Sequence, residues 1–215
     1  MADWFADGDY REVLLYACDF TDGLNGWTVE GAAEAAAVGG RLMVDATESE
    51  TPGATVWCDE MFAGNIRFVY DACILPPVSR DNMNVFFFFQ EGETPEAELA
   101  ERVKTADYGL YHEHRTYIAT YVSENGGIRA RMRKCPGFNL VCESHPEGAL
   151  EALVPYRFEI IHCDGRFSFR VDGIEVLQYT DMDGSQAAGL FGFRTWNTKM
   201  WWSNFRAYRL EQVTG

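Results

Sequence analysis

The sequence predicts an all-β protein, an antiparallel β-sandwich with one short helix near residues 95–105. Apolar runs of about five to ten residues, rich in Val, Ile, Phe, Tyr and Trp, alternate with Gly, Asp, Asn and Pro clusters along nearly the whole chain. Three Asn-Gly or Asp-Gly turns separate neighbouring runs, and such turns are typical of β-hairpins. About twelve strands in one chain fit two antiparallel sheets packed face to face.

The apolar runs predict the individual strands. In chain order these are EVLLYACDF, RLMVDA, ATVWCDE, NIRFVYDACIL, MNVFFFFQ, RTYIATYVS, IRARMRK, YRFEIIHC, RFSFRV, IEVLQYT, GLFGFRT and WWSNFRAYRL. The three tight turns fall at Glu124–Gly127, Cys163–Arg166 and Val171–Ile174. Because Asn, Asp and Gly all tolerate positive φ, each of these turns predicts a hairpin.

One segment, Thr94–Ala106, has a helical composition. Thr94 suits the N-cap, and Pro95 suits the first helical position because its missing N–H is unpaired there in any helix. No linker, internal repeat or shift in composition interrupts the remaining chain. We therefore expect residues 1–215 to form a single sandwich domain.

The charge of the chain bears on its partners. The sequence has 215 residues with 18 Lys and Arg against 33 Asp and Glu, a formal net charge of −15. Such a surface repels phosphate backbones and anionic headgroups, so we expect neither nucleic acid nor a membrane as partner. The N-terminus carries acidic residues where a secretory signal needs basic ones, and the sequence has no apolar stretch of membrane-spanning length. These features predict a cytoplasmic protein.

The cysteine and histidine patterns do not predict a metal or cofactor. The six cysteines are scattered through strand-like runs without zinc spacing, which indicates buried thiols in a reducing compartment. His112 and His114 lie two residues apart but lack a third ligand at a readable spacing. A structural calcium ion held by backbone carbonyls would leave no pattern in the sequence. Motifs for a nucleophilic serine, a phosphate-binding loop or a dinucleotide are absent from the sequence.

Four consecutive phenylalanines within NMNVFFFFQE, residues 82–91, raise the first functional question. Side chains alternate along a strand, so Asn84, Phe86, Phe88 and Gln90 are expected to share one face. Amides interleaved with aromatic rings suit a sugar, whose C–H faces stack on rings while its hydroxyls bond amides. The alternative is a core strand whose two amides are simply solvated.

A second polar and aromatic cluster follows between residues 108 and 134. Tyr117 and Tyr121 share a face of one predicted strand, and Arg129, Arg131 and Arg133 share a face of the next. In a chain this acidic the arginines are a local exception. Because guanidinium groups bind carboxylates through two parallel hydrogen bonds, they favour a uronic acid or another anionic sugar. The alternative is a solvated face whose arginines pair with nearby acids.

The turn between these strands decides whether the two faces coincide. A two-residue turn at Asn125-Gly126 would place Tyr121 opposite Ala130, with the arginines on the other face of the sheet. A one-residue bulge at the turn would place Tyr121 opposite Arg131 instead. The sequence leaves both registers open.

Three blocks of sequence together resemble a known family. They are LLYACDFTDGLNGWTVEG with the GGRLMVDA and GATVWC that follow it, NMNVFFFFQ, and GLFGFRTWNTKMWWSNFRAYRL. They resemble the YesU-type proteins and their relatives, which are concanavalin A-like jelly rolls from bacterial pectin and saccharide utilisation loci. The resemblance spans roughly Leu14 to Leu210.

The resemblance implies a sugar-binding groove on the concave sheet of the jelly roll. In related lyases, Tyr or His moves a proton beside a uronate carboxylate while Arg, Asn or Gln neutralises the developing charge. The candidate catalytic residues are Tyr117, Tyr121, Arg131, His112 and Asn84. The candidate substrate-binding residues are Trp57, Phe86, Gln90, Arg133, Arg194 and Trp196.

The favoured function is a carbohydrate-active protein that cleaves acidic, uronate-containing plant-type oligosaccharides by elimination or hydrolysis. The alternative is a non-catalytic, lectin-like carbohydrate-binding module. A third interpretation is a structural protein whose aromatic residues are simply core. The adjacent Trp201 and Trp202 must face opposite sides of a strand, so one of them is available for a ligand or a homodimer contact.

Overall fold

Alternating apolar residues and tight turns fold the chain into two antiparallel sheets. The computed structural model describes residues 10–47, 51, 53–78, 81–183 and 187–213. Within these residues the chain forms one α-helix, α1 (Glu96–Thr105), a 3₁₀ turn (Tyr108–Tyr111) and fifteen strands. The strands are β1 (Tyr10–Cys18), β2 (Trp27–Glu30), β3 (Glu34–Ala37), β4 (Leu42–Asp45), β5 (Gly53–Ala63), β6 (Ile66–Leu75), β7 (Asn82–Gln90), β8 (Arg115–Glu124), β9 (Gly127–Cys135), β10 (Asn139–Ser144), β11 (Tyr156–Cys163), β12 (Arg166–Val171), β13 (Ile174–Thr180), β14 (Ala188–Trp196) and β15 (Lys199–Gln212).

The two sheets confirm the predicted antiparallel sandwich. One has eight strands in the order β13-β12-β11-β6-β15-β4-β3, with β1 paired to the second half of β15. The other has seven strands in the order β10-β9-β8-β7-β14-β5-β2. All twelve predicted strands are present, and the three predicted turns each close a hairpin.

The main core lies between the sheets and is largely aromatic. Phe68 and Phe205 stack with ring centroids 6.2 Å apart, and Trp202 stacks on Phe193 at 5.0 Å. Trp201 points to the opposite side of β15, as the alternation requires, and lies under the guanidinium group of Arg41. The inward residues of both sheets therefore supply a continuous apolar layer.

The phenylalanine strand β7 departs from regular alternation. A bulge places Phe87 and Phe88 in the core between the sheets, while Phe86 and Phe89 lie on the outer face. Phe88 has φ of 56°, and Gly189 on β14 passes so close that a Cβ there would lie 2.2 Å from the Phe88 backbone. The prediction that Phe86 and Phe88 share a face is wrong, because an inserted residue reverses the side-chain order.

Residues 96–112, here called the strap, cover part of the outer face of the seven-stranded sheet. The predicted helix is present, although Thr94 does not cap it: its hydroxyl donates to the Glu91 backbone carbonyl and carboxylate instead. The Gly31 amide donates to the Val103 carbonyl at 2.9 Å and attaches the strap to the end of β2. Under the strap lies a second apolar cluster that includes Trp57, Phe86 and Phe89.

The sequence predicts that the cysteines are buried thiols and that the chain has no segment of membrane-spanning length. All six cysteines are free thiols, four of them buried and two half-buried. Among the described residues, the helix is neither long nor apolar enough to cross a membrane.

Candidate functional site

A row of polar residues crosses the outer face of the seven-stranded sheet. Strand pairing aligns one residue from each strand, because opposite residues in antiparallel strands point to the same face. The row consists of Glu30, Thr55, Arg194, Asn84, Thr120, Arg131 and Glu143. Sequence-distant residues thus form a single line that runs perpendicular to the strands.

The neighbouring row on the same face is mainly apolar and lies beneath the strap. Trp57 rests against β14 where Gly192 leaves room, since a Cβ there would lie 2.5 Å from the indole ring. Trp57 is 4 % exposed and Phe86 is fully buried, under Tyr111 and Tyr108. Trp57 and Phe86 are therefore not accessible to a sugar ring in this structure.

Arg194 is the most buried charge in the polar row. Its side chain is 1 % exposed, and its Nη1 donates to Thr55 Oγ1 at 2.9 Å. The guanidinium carbon lies 4.7 Å from the ring centre of Tyr108 and 5.2 Å from that of Tyr111. Among the described residues, no carboxylate lies within 4 Å of it. Burial lowers the pKa of Arg194, as expected for a charge without a close counter-ion.

Arg194 also lines a cavity beside the polar row. This cavity has a volume of about 330 Å³, and Trp196, Asp107 and Tyr108 contribute to its wall. Trp196 is 38 % exposed and is the most accessible of the predicted aromatic ligand contacts. The cavity therefore combines a buried cation with an accessible indole ring.

On β9, Arg131 belongs to the polar row and Arg133 to the neighbouring row, where it pairs with Ile118. The Arg131 Nε is buried and makes no hydrogen bond with any described residue. Burial, with help from Arg129 and Arg133, lowers the pKa of Arg131. The Arg133 guanidinium lies 4.0 Å above the ring of Phe138 and donates to the Phe138 carbonyl at 2.9 Å.

Three other buried or half-buried arginines are paired with acids. Arg67 binds the carboxylates of Glu12 and Glu159, and Arg102 binds those of Glu30 and Glu91. Arg129, next to the row, is neutralised by Glu124 and Glu143. Within the described chain, Arg131, Arg133 and Arg194 have no such ion pair, so three cations on this face lack a directly bound carboxylate.

Two further polar groups on this face lack partners within the described residues. Asn84 is 4 % exposed, and its Oδ1 accepts no hydrogen bond from them. The His112 Nε2 is buried and likewise unbonded. Since buried polar atoms are nearly always hydrogen-bonded, such atoms on one face indicate a surface that meets a polar ligand.

His112 is held between aromatic rings. It stacks on Phe138 with centroids 3.7 Å apart and meets Tyr108 edge-on at 4.5 Å. Burial, followed by the positive charges of Arg194 and Arg133, lowers the pKa of His112 to about 4. The imidazole is therefore neutral near pH 7, and it is a weaker base than a free imidazole.

Tyr108 is a site residue that the sequence did not single out as a candidate. Its hydroxyl makes no hydrogen bond with the described residues, and burial raises its pKa to about 12 against the opposing effect of Arg194, Arg133 and Arg131. The only signal in the sequence was its membership of the tyrosine-rich segment between residues 108 and 134. Phe138, the ring beneath Arg133 and His112, had no signal at all.

A buried ion network attaches the strap to the sheet. Arg102 donates to Glu30 Oε1 at 3.0 Å and to Glu91 Oε2 at 2.6 Å. The Tyr111 hydroxyl donates to Glu30 Oε2 at 2.7 Å, and His114 Nδ1 donates to the Glu91 carbonyl at 2.6 Å. This network fixes Tyr108 and His112 above the polar row.

The structure does not bring Tyr117 and Tyr121 to this face. Tyr121 pairs with Ala130, which is the register of the two-residue turn, so both tyrosines lie on the opposite side of the sheet from Arg131. Both are buried between the sheets, and the Tyr117 hydroxyl donates to the buried Asp181 carboxylate. This placement is incompatible with a proton-transfer role for either residue on the outer face of the seven-stranded sheet.

Gln90 also lies apart from the polar row. The bulge in β7 shifts its position, and its side-chain amide donates to the Ala188 carbonyl at 2.7 Å. It lines a separate recess with residues of the β7–α1 connection. The structure thus brings together Asn84, His112, Arg131, Arg133, Arg194 and Trp196 of the predicted set.

The described residues contain no group of three or more His, Cys, Asp or Glu side chains placed to hold a metal ion. His112 and His114 point to different surroundings, because His114 belongs to the Arg102 network.

One curated relative is similar over most of the chain. The uncharacterized protein YesU of Bacillus subtilis (strain 168) is 26% identical over 204 residues, which cover 86% of this chain and 87% of that protein. A crystal structure from Bacillus subtilis, described as a protein of unknown function with a galectin-like fold, superposes with a TM-score of 0.77 and 21% identity. The match covers 95% of this chain and all of that one.

Other solved structures share the fold at lower identity. The carbohydrate-binding module CBM66 from Bacillus subtilis matches with a TM-score of 0.56 and 13% identity, covering 84% of this chain and 93% of the module. The VIP36 exoplasmic/lumenal domain, in a Ca²⁺/Man3GlcNAc-bound form, matches with a TM-score of 0.67 and 6% identity, covering 94% and 92% of the two chains. These likenesses establish the sandwich fold.

The family follows from the sequence match together with this architecture. A family model described as "Domain of unknown function (DUF1961)" matches residues 13–203, which span β1 to the middle of β15. The chain belongs to the DUF1961 family.

Proposed function

We propose that this protein binds an acidic, uronate-containing oligosaccharide on the outer face of its seven-stranded sheet. The observation that carries the proposal is the set of three unpaired arginines, Arg131, Arg133 and Arg194, in a chain of net charge −15. A buried guanidinium group without a counter-ion is unfavourable by several kcal/mol, so a bound carboxylate would stabilise it. The positive charges of these arginines therefore favour binding of an anion at this surface.

The neighbouring groups favour a sugar acid over other anions. Asn84 Oδ1 needs a hydrogen-bond donor, which a sugar hydroxyl supplies and a fully ionised phosphate does not. Trp196 offers a partly exposed ring for the C–H face of a sugar. Two proteins that share this fold are the carbohydrate-binding module CBM66 and the VIP36 domain in its Ca²⁺/Man3GlcNAc-bound form. These observations support a glycan ligand.

Calorimetric titration with matched acidic and neutral oligosaccharides tests the proposal. Oligogalacturonates should bind, and the same oligosaccharides with their carboxylates reduced to alcohols should bind at least about tenfold more weakly, since a charged hydrogen bond contributes roughly 1.5–3 kcal/mol. Alginate-derived oligouronates extend the panel. Equal affinity for the acidic and reduced forms, or no binding of any acidic saccharide, would contradict the proposal.

A matched variant pair locates the binding surface. Arg131→Gln should weaken binding of the acidic oligosaccharide. Arg115→Gln removes the same charge from an exposed position on β8 and should leave the affinity within about twofold of the parent. A similar loss in both variants would indicate a general charge effect rather than a site.

A second candidate function is elimination at the same site, and the unbonded Tyr108 hydroxyl favours it. Neutral His112 would accept the proton from the carbon next to the carboxylate. The electron pair of that C–H bond would form a C=C bond as the C–O bond to the leaving sugar breaks. Tyr108 would then give its proton to the departing oxygen. Nearby arginines would stabilise the charge that develops on the carboxylate.

Hydrolysis has less support among the described residues. It requires two carboxylates flanking the bond. Glu30 is engaged by Arg102 and Tyr111, and Asp107 accepts the Gly109 amide at 2.8 Å.

Ultraviolet absorbance of new C=C bonds, followed alongside new reducing ends, separates the two candidate functions. Absorbance that rises with the parent protein and is lost in Tyr108→Phe, with binding retained, would support elimination. Reducing ends without absorbance would mean hydrolysis. Tight binding without either signal would assign a lectin-like module.

A further inference from the structure

We propose that the outer face of the seven-stranded sheet binds two separate carboxylates of one ligand, so that it selects a run of acidic sugars over a single terminal acid. This inference rests on the proposed function and names the ligand class more closely. Its physical basis is the separation of the unpaired arginines and the way in which their side chains are anchored.

The backbone spacing separates the two cationic positions. Arg194 on β14 and Arg131 on β9 belong to the same row, with Asn84 on β7 and Thr120 on β8 between them. Three inter-strand steps of about 4.8 Å place their Cα atoms roughly 14 Å apart. This distance exceeds what the two oxygens of one carboxylate can span.

The side-chain anchors keep the cationic groups apart. Thr55 holds the Arg194 guanidinium toward β5, which is the side away from β7. Phe138 holds the Arg133 guanidinium at the far end of β9, through its ring and its carbonyl. Tyr108 lies between them, in contact with both the Arg194 guanidinium and the Phe138 ring. The cavity that Arg194 lines includes neither Arg131 nor Arg133.

The groups between the cationic positions suit the neutral part of the ligand. Asn84 Oδ1 is a buried acceptor, and the Thr120 hydroxyl next to it is a donor and acceptor. The order along the row is therefore cation, acceptor, hydroxyl and cation. A uronate oligosaccharide presents carboxylates separated by hydroxyl-bearing carbons, which is the complementary order.

Galacturonate oligomers of increasing length test whether the site binds two carboxylates of one ligand. The probes are galacturonate and its dimer, trimer and tetramer, titrated into the parent, Arg131→Gln, Arg133→Gln and Arg194→Met proteins, with Arg115→Gln as the matched control. We expect the monomer to bind weakly and to respond to Arg194→Met alone. The trimer should bind about tenfold to a hundredfold more tightly and should lose that gain in Arg131→Gln or Arg133→Gln.

Salt dependence provides a second, independent readout. The trimer should show a steeper fall in affinity with rising salt than the monomer, because it engages more charges. Arg131→Gln should reduce the trimer's slope to that of the monomer.

The possible failures are distinguishable. If the monomer binds as tightly as the trimer, or if Arg131→Gln weakens both by the same factor, the arginines form a single carboxylate site and the inference is wrong while the proposed function stands. If no acidic saccharide of any length binds, the proposed function fails and the inference fails with it.

Discussion

Substitution of the two buried arginines, Arg102 and Arg194, should change the stability of the fold in opposite directions. Arg102 lies between Glu30 and Glu91, whereas Arg194 has a hydrogen bond to Thr55 and two aromatic rings beside it but no ion pair among the described residues. Removing one partner of a buried ion pair leaves an uncompensated charge. Removing a buried charge that has no counter-ion relieves such a penalty. At the residue scale, therefore, burial alone does not identify a structural arginine.

Methionine at each position should separate these roles. Arg102→Met should lower the free energy of unfolding by about 3–5 kcal/mol, because Glu30 is left buried and unpaired. Arg194→Met should be neutral or stabilising by up to about 4 kcal/mol, while it abolishes tight binding of acidic oligosaccharides. Chemical denaturation of both variants measures the difference. An Arg194→Met protein as unstable as Arg102→Met would show that the guanidinium holds the fold together.

His112 gives a pH dependence with a definite sign. Its pKa in the folded protein, about 4, lies below the ordinary value of 6.5, so between these pH values the unfolded chain binds more protons. The contribution of neutral His112 to the free energy of unfolding is fully present above pH about 6.5. It is lost as the pH falls to about 4.

The titration of His112 is measurable by NMR. Its ring protons should shift with a midpoint near pH 4, and His112→Gln should remove that transition and reduce the slope of the stability profile between pH 4 and 6.5. A bound acidic oligosaccharide should raise the midpoint, because a nearby carboxylate favours the imidazolium. A midpoint near 6.5 in the free protein would contradict the buried, arginine-flanked placement.

At the scale of elements, the bulge in β7 decides which rings line the core. Phe87 and Phe88 both turn inward, and Gly189 on β14 allows the two backbones to approach at that point. Without the inserted residue, regular alternation would carry Phe89 inward and Phe88 outward. Strand β7 therefore contributes adjacent residues to two different apolar clusters.

Alanine at Gly189 should disrupt this arrangement. Its Cβ would lie 2.2 Å from the Phe88 carbonyl carbon and 2.4 Å from the Phe89 oxygen, with φ of 152°. We expect a loss of more than about 3 kcal/mol in unfolding free energy, or failure to fold, because two strands must move. Gly126→Ala is the control, since nothing lies within 4 Å of its Cβ and only positive-φ strain of roughly 1–2 kcal/mol applies. Equal effects of the two substitutions would argue against the bulge.

At the scale of the whole molecule, the charge distribution is the main functional feature. The chain carries a net charge of −15, and within the described residues Arg67, Arg102 and Arg129 are each paired with acids. Against this background the outer face of the seven-stranded sheet retains unpaired cations. Long-range repulsion by the acidic surface would disfavour large polyanions, which agrees with the short acidic ligand proposed above.

The sequence was sufficient for most of the fold. Twelve strands and three hairpins were predicted because long apolar runs and Asn-Gly or Asp-Gly turns are local signals. The three strands missed, β2, β3 and β10, are all edge strands. An edge strand needs only one partner and less apolar surface, so its sequence is less distinctive.

The sequence by itself determined the sandwich, its hairpins and the arginine-bearing face of β9, because these depend on alternation and turn chemistry within a few residues. Only the tertiary structure decided which side chains are accessible. The strap buries Trp57 and Phe86, and the two-residue turn puts Tyr121 on the face opposite Arg131. Residues far apart in sequence also decide which charges are paired. Arg102 is paired with acids, whereas Arg194 has no carboxylate beside it within the described chain. Burial and charge neutralisation are properties of three-dimensional neighbours, which no local pattern specifies.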